Sequence, residues 1–261
     1  MKGRFASVTN VSASVRPERR ERSGRSRRIS ANGVFHQPGA SGVWAVVPLK
    51  SPDAAKSRLR AGLDAGARRR LVFAMARQVV RTLARTPGIA GVAVVTASPE
   101  VAAWVEEEGA AVIRQDVDAG MAEACRSAVA RLSARADSLL MISGDIPLIR
   151  TEPIAALVDL SRRTPLVAIV PDRHRSGTNA LLCAPPAVIS PCFGVDSFQH
   201  HLAAARCRGV ELRIVESDVL SLDIDDLEDL EELRRRLDAD PALLPVELRE
   251  ALPRKAEVPA Q

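Results

Sequence analysis

From Val43 onward the chain alternates short apolar runs with longer amphipathic stretches, and this alternation restricts it to few folds. The runs predicted as strands are Val43–Val47, Val92–Thr96, Ala111–Ile113, Leu139–Ile142, Leu166–Val170, Ala180–Cys183 and Leu212–Val215. The first five are continuously apolar, as expected of parallel strands that are covered on both faces. The pattern predicts an α/β fold with a single doubly wound, mostly parallel sheet.

Helical patterns fill the segments between these runs. The longest, Ala67–Ala84, places its apolar residues on one stripe. Further helices are predicted at Pro99–Glu108, Met121–Ala134, Glu152–Ser161 and Asp226–Leu237, and another ends near Arg208. In doubly wound sheets, ligands bind beyond the carboxyl ends of the strands. The loops at those ends are therefore the first place to look for functional residues.

The two ends of the chain differ in composition from the middle. The net charge is +5, but residues 1–40 carry nine Lys/Arg and two Glu, so the remainder has a charge of −2. We expect a disordered basic leader at residues 1–41, a folded domain at residues 42–238 and a weakly ordered tail at residues 239–261. A transit peptide and a nucleic-acid-binding arm are alternatives for the leader.

Composition excludes several classes of protein. No apolar run approaches the roughly 20 residues that span a bilayer. There is no Tyr and there are few other aromatic residues, so a stacking platform for single-stranded nucleic acid is not expected. Four widely spaced cysteines, without a CxxC pair, are interpreted as reduced core thiols. These features favour a cytoplasmic protein without a membrane or nucleic-acid partner.

The loop after the first strand is cationic. It holds Lys50, Lys56 and Arg58 within nine residues and lacks both the GxxxxGK[ST] pattern and the Rossmann glycine fingerprint. Point charges and a planar guanidinium at a strand end can surround a triphosphate. We interpret these residues as the catalytic cations of a nucleotide site, with a solvated charged loop as the alternative.

Carboxylates follow two of the predicted strands. Asp145 follows the predicted strand Leu139–Ile142, in the run Ser-Gly-Asp-Ile-Pro. Farther along the chain, Asp223 and Asp225 alternate with apolar residues. One or two carboxylates, completed by water and phosphate oxygens, are the usual ligands of Mg²⁺. We predict that all three aspartates bind metal, whereas Asp226 and the acids after it cap a helix.

Two polar segments have the composition of anion sites. The loop 171–180 supplies Arg173, His174, Thr178 and Asn179, and could offer backbone N–H groups, hydroxyls and charge to a phosphate or carboxylate. In the second segment, a helix N-terminus is predicted near residue 194, which is a favourable place for an anion. The residues of interest there are Gly194, Ser197 and His201. We predict that both segments bind substrate, although a histidine such as His201, taken alone, is more often a structural hydrogen-bonding residue.

Four sequence blocks together resemble the guanylyltransferases (CofC/FbiD) that act on phospholactate, phosphoenolpyruvate or 3-phosphoglycerate in coenzyme F420 biosynthesis. They are Val-Pro-Leu-Lys at 47–50 with Ala-Lys-Ser-Arg-Leu at 55–59, Gly-Asp-Ile-Pro-Leu at 144–148, Asp-Arg-His at 172–174 with Gly-Thr-Asn-Ala-Leu-Leu at 177–182, and Phe-Gly-Val-Asp-Ser-Phe at 193–198 with His-Leu at 201–202. The resemblance covers about Val43 to Leu237. The closing Leu-Asp-Ile-Asp at 222–225 is shared more widely by sugar and molybdopterin nucleotidyltransferases.

The resemblance implies a nucleotide-diphospho-sugar transferase-like fold and a Mg²⁺-dependent reaction. GTP and a three-carbon phosphorylated acid would be joined, pyrophosphate would leave, and the product would pass to a downstream transferase of the same pathway. Residues matching Thr178, Gly194 and Ser197 would hold the acid. Those matching Asp145 and the Asp223/Asp225 pair would hold Mg²⁺.

One block departs from the family pattern. Members commonly show Gly-Leu-Asn-Ala-Ala before the third helix, whereas this chain has Gly-Met-Ala-Glu-Ala at 120–124, with Ala122 in place of the Asn and an added acid at Glu123. The departure favours a less common acceptor such as 3-phosphoglycerate. Two alternatives remain: a nucleotidyltransferase acting on molybdopterin or a sugar phosphate, and a non-catalytic nucleotide- or RNA-binding protein.

Overall fold

Seven strands and seven α-helices alternate along the chain in a computed structural model that describes residues 42–253. The strands are β1 Val43–Pro48, β2 Ile89–Thr96, β3 Ala111–Arg114, β4 Ser138–Ile142, β5 Leu166–Pro171, β6 Thr178–Ala184 and β7 Glu211–Ile214. The helices are α1 Ala65–Arg85, α2 Pro99–Glu107, α3 Met121–Leu132, α4 Thr151–Leu160, α5 Ser197–Arg208, α6 Leu227–Ala239 and α7 Val246–Ala251. Short 3₁₀ helices occur at Ser57–Ala61 and Pro241–Leu243.

The strands form one sheet in the order β3-β2-β1-β4-β6-β5-β7. Every pairing is parallel except those of β6, which runs antiparallel to both β4 and β5. The predicted mostly parallel α/β sheet is therefore confirmed. Because β6 is reversed, its first residues lie at the edge where the neighbouring strands end.

Helices cover both faces of the sheet because its central strands are apolar on both sides. On β1, Val43, Ala45 and Val47 pack with α1, α2 and α4, whereas Trp44 and Val46 pack with α3 and α5. This alternation follows from the two-residue period of a strand. The result is a doubly wound core that holds the loops at the carboxyl edge in fixed positions.

The packed part of the chain extends beyond the boundary expected at residue 238. Helix α7 packs against α1, and Leu244 and Leu248 are buried in a cluster that also contains Leu71 and Met75 of α1. The segment predicted as a weakly ordered tail is thus helical at residues 241–243 and 246–251. Its two buried leucines, Leu244 and Leu248, cover an apolar patch of α1. Residues 1–41, which hold the predicted leader, and residues 254–261 lie outside the described part of the chain.

The cysteines and the membrane prediction can also be compared with the structure. All four cysteines are free thiols, and Cys125 and Cys183 are buried as predicted. Cys192 is half-buried and Cys207 is exposed, so these two are not core thiols. Within residues 42–253, no helix combines the length and apolar character needed to cross a membrane.

Replacing a buried leucine of α7 tests the contribution of this helix to stability. We expect Leu248→Ala to lower the free energy of unfolding by about 2–4 kcal/mol, because Leu248 is 2% exposed and truncation leaves a cavity against α1. Val246→Ala on the same helix is the control, because Val246 is 55% exposed and should change stability by less than about 0.5 kcal/mol. Urea denaturation measures both, and equal small effects would show that α7 does not stabilise the domain.

Candidate active site

Three aspartates meet at the carboxyl edge of the sheet and form what we call the acidic cluster: Asp145, Asp223 and Asp225. One carboxylate oxygen of each lies within 4.8 Å of those of the other two. Asp145 follows β4, while the other two belong to the extended segment before α6. The two stretches are joined by the Ile224 N–H, which donates to the Asp145 carbonyl oxygen at 3.2 Å. The structure thus brings together the three predicted metal ligands.

The turn after β4 fixes the Asp145 carboxylate. The Ser143 hydroxyl donates to Asp145 Oδ1 at 2.6 Å, and the Ser143 N–H donates to the Asn179 carbonyl oxygen at 2.9 Å. At Gly144, an added Cβ would overlap the side chain of Leu49. The missing side chain therefore lets the loop after β1 pack directly against this turn.

Asp223 is a partly buried carboxylate of the acidic cluster whose pKa is shifted by its surroundings. Burial, together with the nearby charges of Asp145 and Asp225, raises the pKa of Asp223 to about 7, although Lys56 and a hydrogen bond from Asn179 oppose the rise. That bond runs from Asn179 Nδ2 to Asp223 Oδ1 at 3.2 Å, and the same amide donates to the Leu220 carbonyl oxygen at 3.0 Å. Carboxylate oxygens crowded in this way, with excess negative charge, suit a divalent cation such as Mg²⁺.

Lys56 reaches into the acidic cluster from the loop after β1. Its ammonium group pairs with the Asp145 carboxylate and, at 2.6 Å, with Asp225 Oδ1. Burial alone would lower the pKa of Lys56, but the two carboxylates raise it above its ordinary value, so the side chain is a cation. The prediction placed this ammonium on a triphosphate, whereas here it offsets part of the negative charge of the acidic cluster.

A cleft of about 650 Å³ opens beside the acidic cluster, and we call it the nucleotide cleft. Lys50 and Arg58 line it from the loop after β1, Asp145 and Asp225 from one side, and Gly120 from the start of α3. Both cations are exposed. The cleft therefore has cationic side chains at one wall and carboxylates at another, as a nucleotide–metal complex requires.

The segment at the start of α3, where the sequence departs from the family pattern, also borders the nucleotide cleft. Met121 and Ala124 line it, while Lys50 Nζ lies 3.5 Å from Asp118 Oδ2 across its rim. Glu123 instead pairs with Arg126, at 2.9 Å, on the surface of α3. The carboxylate added at Glu123 therefore forms its ion pair within α3.

Thr178 at the start of β6 contacts His201 of α5, and Ser197 lies about one turn before His201 on the same helix. The Phe198 N–H donates to the Ser176 carbonyl oxygen at 3.2 Å, which joins the start of α5 to the loop before β6. Thr178 Oγ1 lies 3.0 Å from His201 Nδ1. We call these residues, with the neighbouring Gly194, the α5 group; Thr178, Ser197 and His201 are all buried. Because Thr178 precedes Asn179, which holds Asp223, the α5 group lies beside the acidic cluster.

Gly194 has a backbone conformation that suits glycine. Its φ is 133°, and a Cβ built there meets no atom within 4 Å, so the space beside it is open. The Gly194 carbonyl oxygen accepts the Ser197 N–H at 3.2 Å. A substitution here would strain the backbone rather than cause a collision.

Two of the residues predicted to bind substrate, Arg173 and Asn179, form hydrogen bonds to other parts of the protein. Arg173 Nε donates to Asp229 Oδ1 at 2.9 Å and its terminal nitrogen donates to Glu228 at 3.1 Å, so its charge anchors the first turn of α6. Asn179 orients Asp223, as described above. His174, in the same loop as Arg173, is exposed.

The predicted cap of α6 is confirmed. Asp226 accepts the Glu228 and Asp229 N–H groups, and Asp229 accepts those of Asp225 and Asp226, which completes a capping box. Asp229 therefore supports the backbone that carries Asp225. The sequence predicted Asp226 as the cap and the acids after it in the first turn, but nothing local to the sequence identified Arg173 as the partner of Asp229.

Comparison with known proteins agrees with this arrangement. The sequence pattern of the family described as "Guanylyl transferase CofC like" matches residues 43–236. A phosphoenolpyruvate guanylyltransferase of Rubrobacter xylanophilus is 42% identical over 194 residues, covering 73% of this chain and 93% of that protein. A protein of the same name from Conexibacter woesei is 38% identical over 193 residues, covering 73% and 86%.

Solved structures share the fold. A proposed nucleotide-diphospho-sugar transferase of Desulfovibrio desulfuricans G20 superimposes with a TM-score of 0.66 at 17% identity, covering 80% of this chain and 94% of that one. A nucleotidyl transferase of Methanothermobacter gives a TM-score of 0.54 at 17% identity, covering 77% and 99%. The family match extends over most of the described residues and includes the acidic cluster, the nucleotide cleft and the α5 group, and the chain belongs to the CofC-like guanylyl transferase family.

Proposed function

We propose that this guanylyltransferase joins GTP to phosphoenolpyruvate and releases pyrophosphate, with Mg²⁺ on the acidic cluster. The observation that carries the proposal is the acidic cluster itself, which pairs with Lys56 and lines the nucleotide cleft with two of its carboxylates. We place the triphosphate in that cleft and the acceptor at the α5 group, which Asn179 links to the acidic cluster. The names of the relatives favour phosphoenolpyruvate over the 3-phosphoglycerate suggested by residues 120–124. 3-Phosphoglycerate and 2-phospholactate are the other acceptors to be tested.

The reaction follows from what the two regions would bind. A phosphate oxygen of the acceptor attacks the α-phosphorus of GTP, the bond to the β-phosphate oxygen breaks, and pyrophosphate leaves with that electron pair. The attacking oxygen is anionic at neutral pH, so no general base is required. Catalysis then consists of positioning and charge neutralisation.

Each group of residues has a part in this proposal. Lys50 and Arg58 hold the triphosphate and stabilise the leaving pyrophosphate, while Lys56 adds positive charge between the acidic cluster and the phosphates. Thr178 and Ser197 hold the acceptor, with backbone N–H groups near Gly194. When bound to the acidic cluster, Mg²⁺ would neutralise phosphate charge. The pathway of coenzyme F420, with a downstream transferase that takes the product, is part of the same proposal.

An acceptor panel tests the proposed reaction. The protein is incubated with GTP, MgCl₂ and, separately, phosphoenolpyruvate, 3-phosphoglycerate, 2-phospholactate and a sugar 1-phosphate, with pyrophosphate release and product mass as readouts. We expect pyrophosphate and a guanylylated product with phosphoenolpyruvate. Product from the sugar phosphate alone would contradict the proposal and favour a sugar-nucleotide enzyme.

Removing the charge of Asp145 tests the metal assignment. We expect Asp145→Asn to reduce turnover by about a hundredfold or more at any MgCl₂ concentration, because a neutral amide is a poor replacement for a carboxylate ligand of Mg²⁺. Asp159→Asn, at an exposed position of α4, is the control and should retain the normal rate. Steady-state rates across a MgCl₂ titration measure the effect, and a normal rate in Asp145→Asn would exclude this aspartate as a ligand.

Two arginines in one 3₁₀ helix provide a matched test of the nucleotide cleft. Arg58 lines the cleft and Arg60 does not, although both are exposed. A charge-assisted hydrogen bond is worth about 1.5–3 kcal/mol, so Arg58→Ala should raise the KM for GTP or lower kcat/KM by about tenfold to a hundredfold. Arg60→Ala should leave both constants near those of the wild type. Equal effects of the two substitutions would show that Arg58 acts only through the net charge of the loop.

A further inference from the structure

His201 is buried where α5 packs against Thr178 of β6 and against Cys192 and Phe193 of the segment before α5. It lies in the second turn of α5 and has no exposed surface. Its Nε2 accepts the Cys192 N–H at 2.8 Å, and its Nδ1 lies 3.0 Å from Thr178 Oγ1. The Phe193 ring packs edge-on against the imidazole, with 5.0 Å between ring centroids. The ring therefore cannot turn without breaking both hydrogen bonds.

These contacts determine which nitrogen of His201 carries the proton. A backbone N–H can only donate, so Nε2, which receives the Cys192 N–H, must be unprotonated. In a neutral imidazole the proton is then on Nδ1, which donates to Thr178 Oγ1. Burial, and secondarily the nearby His200, lowers the pKa of His201 to about 4, in agreement with a neutral ring at neutral pH.

The direction of this bond determines what the Thr178 hydroxyl can do. Its oxygen already accepts a hydrogen bond from His201, so its own proton is available to another acceptor. With the opposite tautomer, the hydroxyl would donate to Nδ1 and present only lone pairs to a ligand. A carboxylate or phosphate needs a donor. The buried imidazole thus leaves the Thr178 hydroxyl free to act as the hydrogen-bond donor that an anionic ligand requires.

We propose that His201 is a positioning residue that holds the Thr178 hydroxyl as a hydrogen-bond donor to an anionic group of the acceptor. The inference rests on the proposed function, because it assigns the acceptor to the α5 group. His201 does not contact the acceptor itself, in contrast to the sequence-based prediction that it binds substrate. The anionic group is a carboxylate or a phosphate, and both require the same donor.

Two amide substitutions separate the two bonds of His201. The Asn side-chain nitrogen occupies the position of Nδ1 along the side chain, so His201→Asn can still donate to Thr178 but loses the bond from Cys192. His201→Gln reaches the position of Nε2, so it can still accept the Cys192 N–H but loses the bond to Thr178. We expect His201→Gln to raise the KM for the acceptor by about tenfold, and His201→Asn to raise it much less. The KM for GTP should change little in either variant.

A double-mutant cycle tests whether His201 acts through the Thr178 hydroxyl. Thr178→Val removes the donor and should lower kcat/KM for the acceptor by about tenfold to a hundredfold, while Thr178→Ser keeps the hydroxyl and should lose less. In the Thr178→Val background, His201→Gln should cause little further loss, because the donor it orients is already gone. His200→Gln, at an exposed position on the same helix, is the control. Additive losses from Thr178→Val and His201→Gln would overturn the proposal.

The tautomer can be measured without any substitution. In ¹⁵N-histidine-labelled wild-type protein, the NMR signals of His201 should show a protonated Nδ1 and an unprotonated Nε2 between about pH 6 and about pH 8. A proton on Nε2 would overturn the proposal even if every variant failed to fold. The proposed function fails separately, through the absence of a guanylylated product with wild-type protein, whereas this inference fails through the cycle or the tautomer while wild-type activity is present.

Discussion

The mutual repulsion of three carboxylates is the constraint on which the rest of the site depends. Asp145, Asp223 and Asp225 are held close enough that like charges strongly disfavour one another, and one of them is largely removed from water. The protein offsets this with donors from three separate segments: the Lys56 ammonium, the Ser143 hydroxyl and the Asn179 amide. Crowding three carboxylates in this way lowers the stability of the folded state. It is typical of a site that binds a cation.

The fold supplies these donors without using long flexible loops. Parallel strands β1 and β4 deliver the cationic loop and Asp145 to one edge, and the reversed β6 delivers Asn179 to the same edge. Helix α6 holds the last aspartate through its capping box, which Arg173 fastens to the loop before β6. The acidic cluster and its donors are thus positioned by strands and helices of the domain, as precise charge placement in catalysis requires.

Most of the sheet and the acidic cluster could be predicted because they leave local signals: continuous apolar runs, and acids at strand ends. The tasks of Arg173 and Asn179 could not, since their partners lie 56 and 44 residues away and depend on tertiary packing. A cation in a polar loop is compatible with binding a ligand or a neighbouring acid. The end of the domain was missed for a similar reason, because Leu248 of the short helix α7 and Leu244 just before it are buried only through packing with the apolar face of α1.

The reversal of β6 has a consequence for how this enzyme can change over time. Neighbouring residues of a strand face opposite sides of a sheet, so Thr178 serves α5 while Asn179 serves the acidic cluster. A slip of β6 by one residue would exchange these two faces at once. Changes of length in the hairpin before β6 are therefore expected to be harmful wherever they shift that register, even though the hairpin lies at the surface.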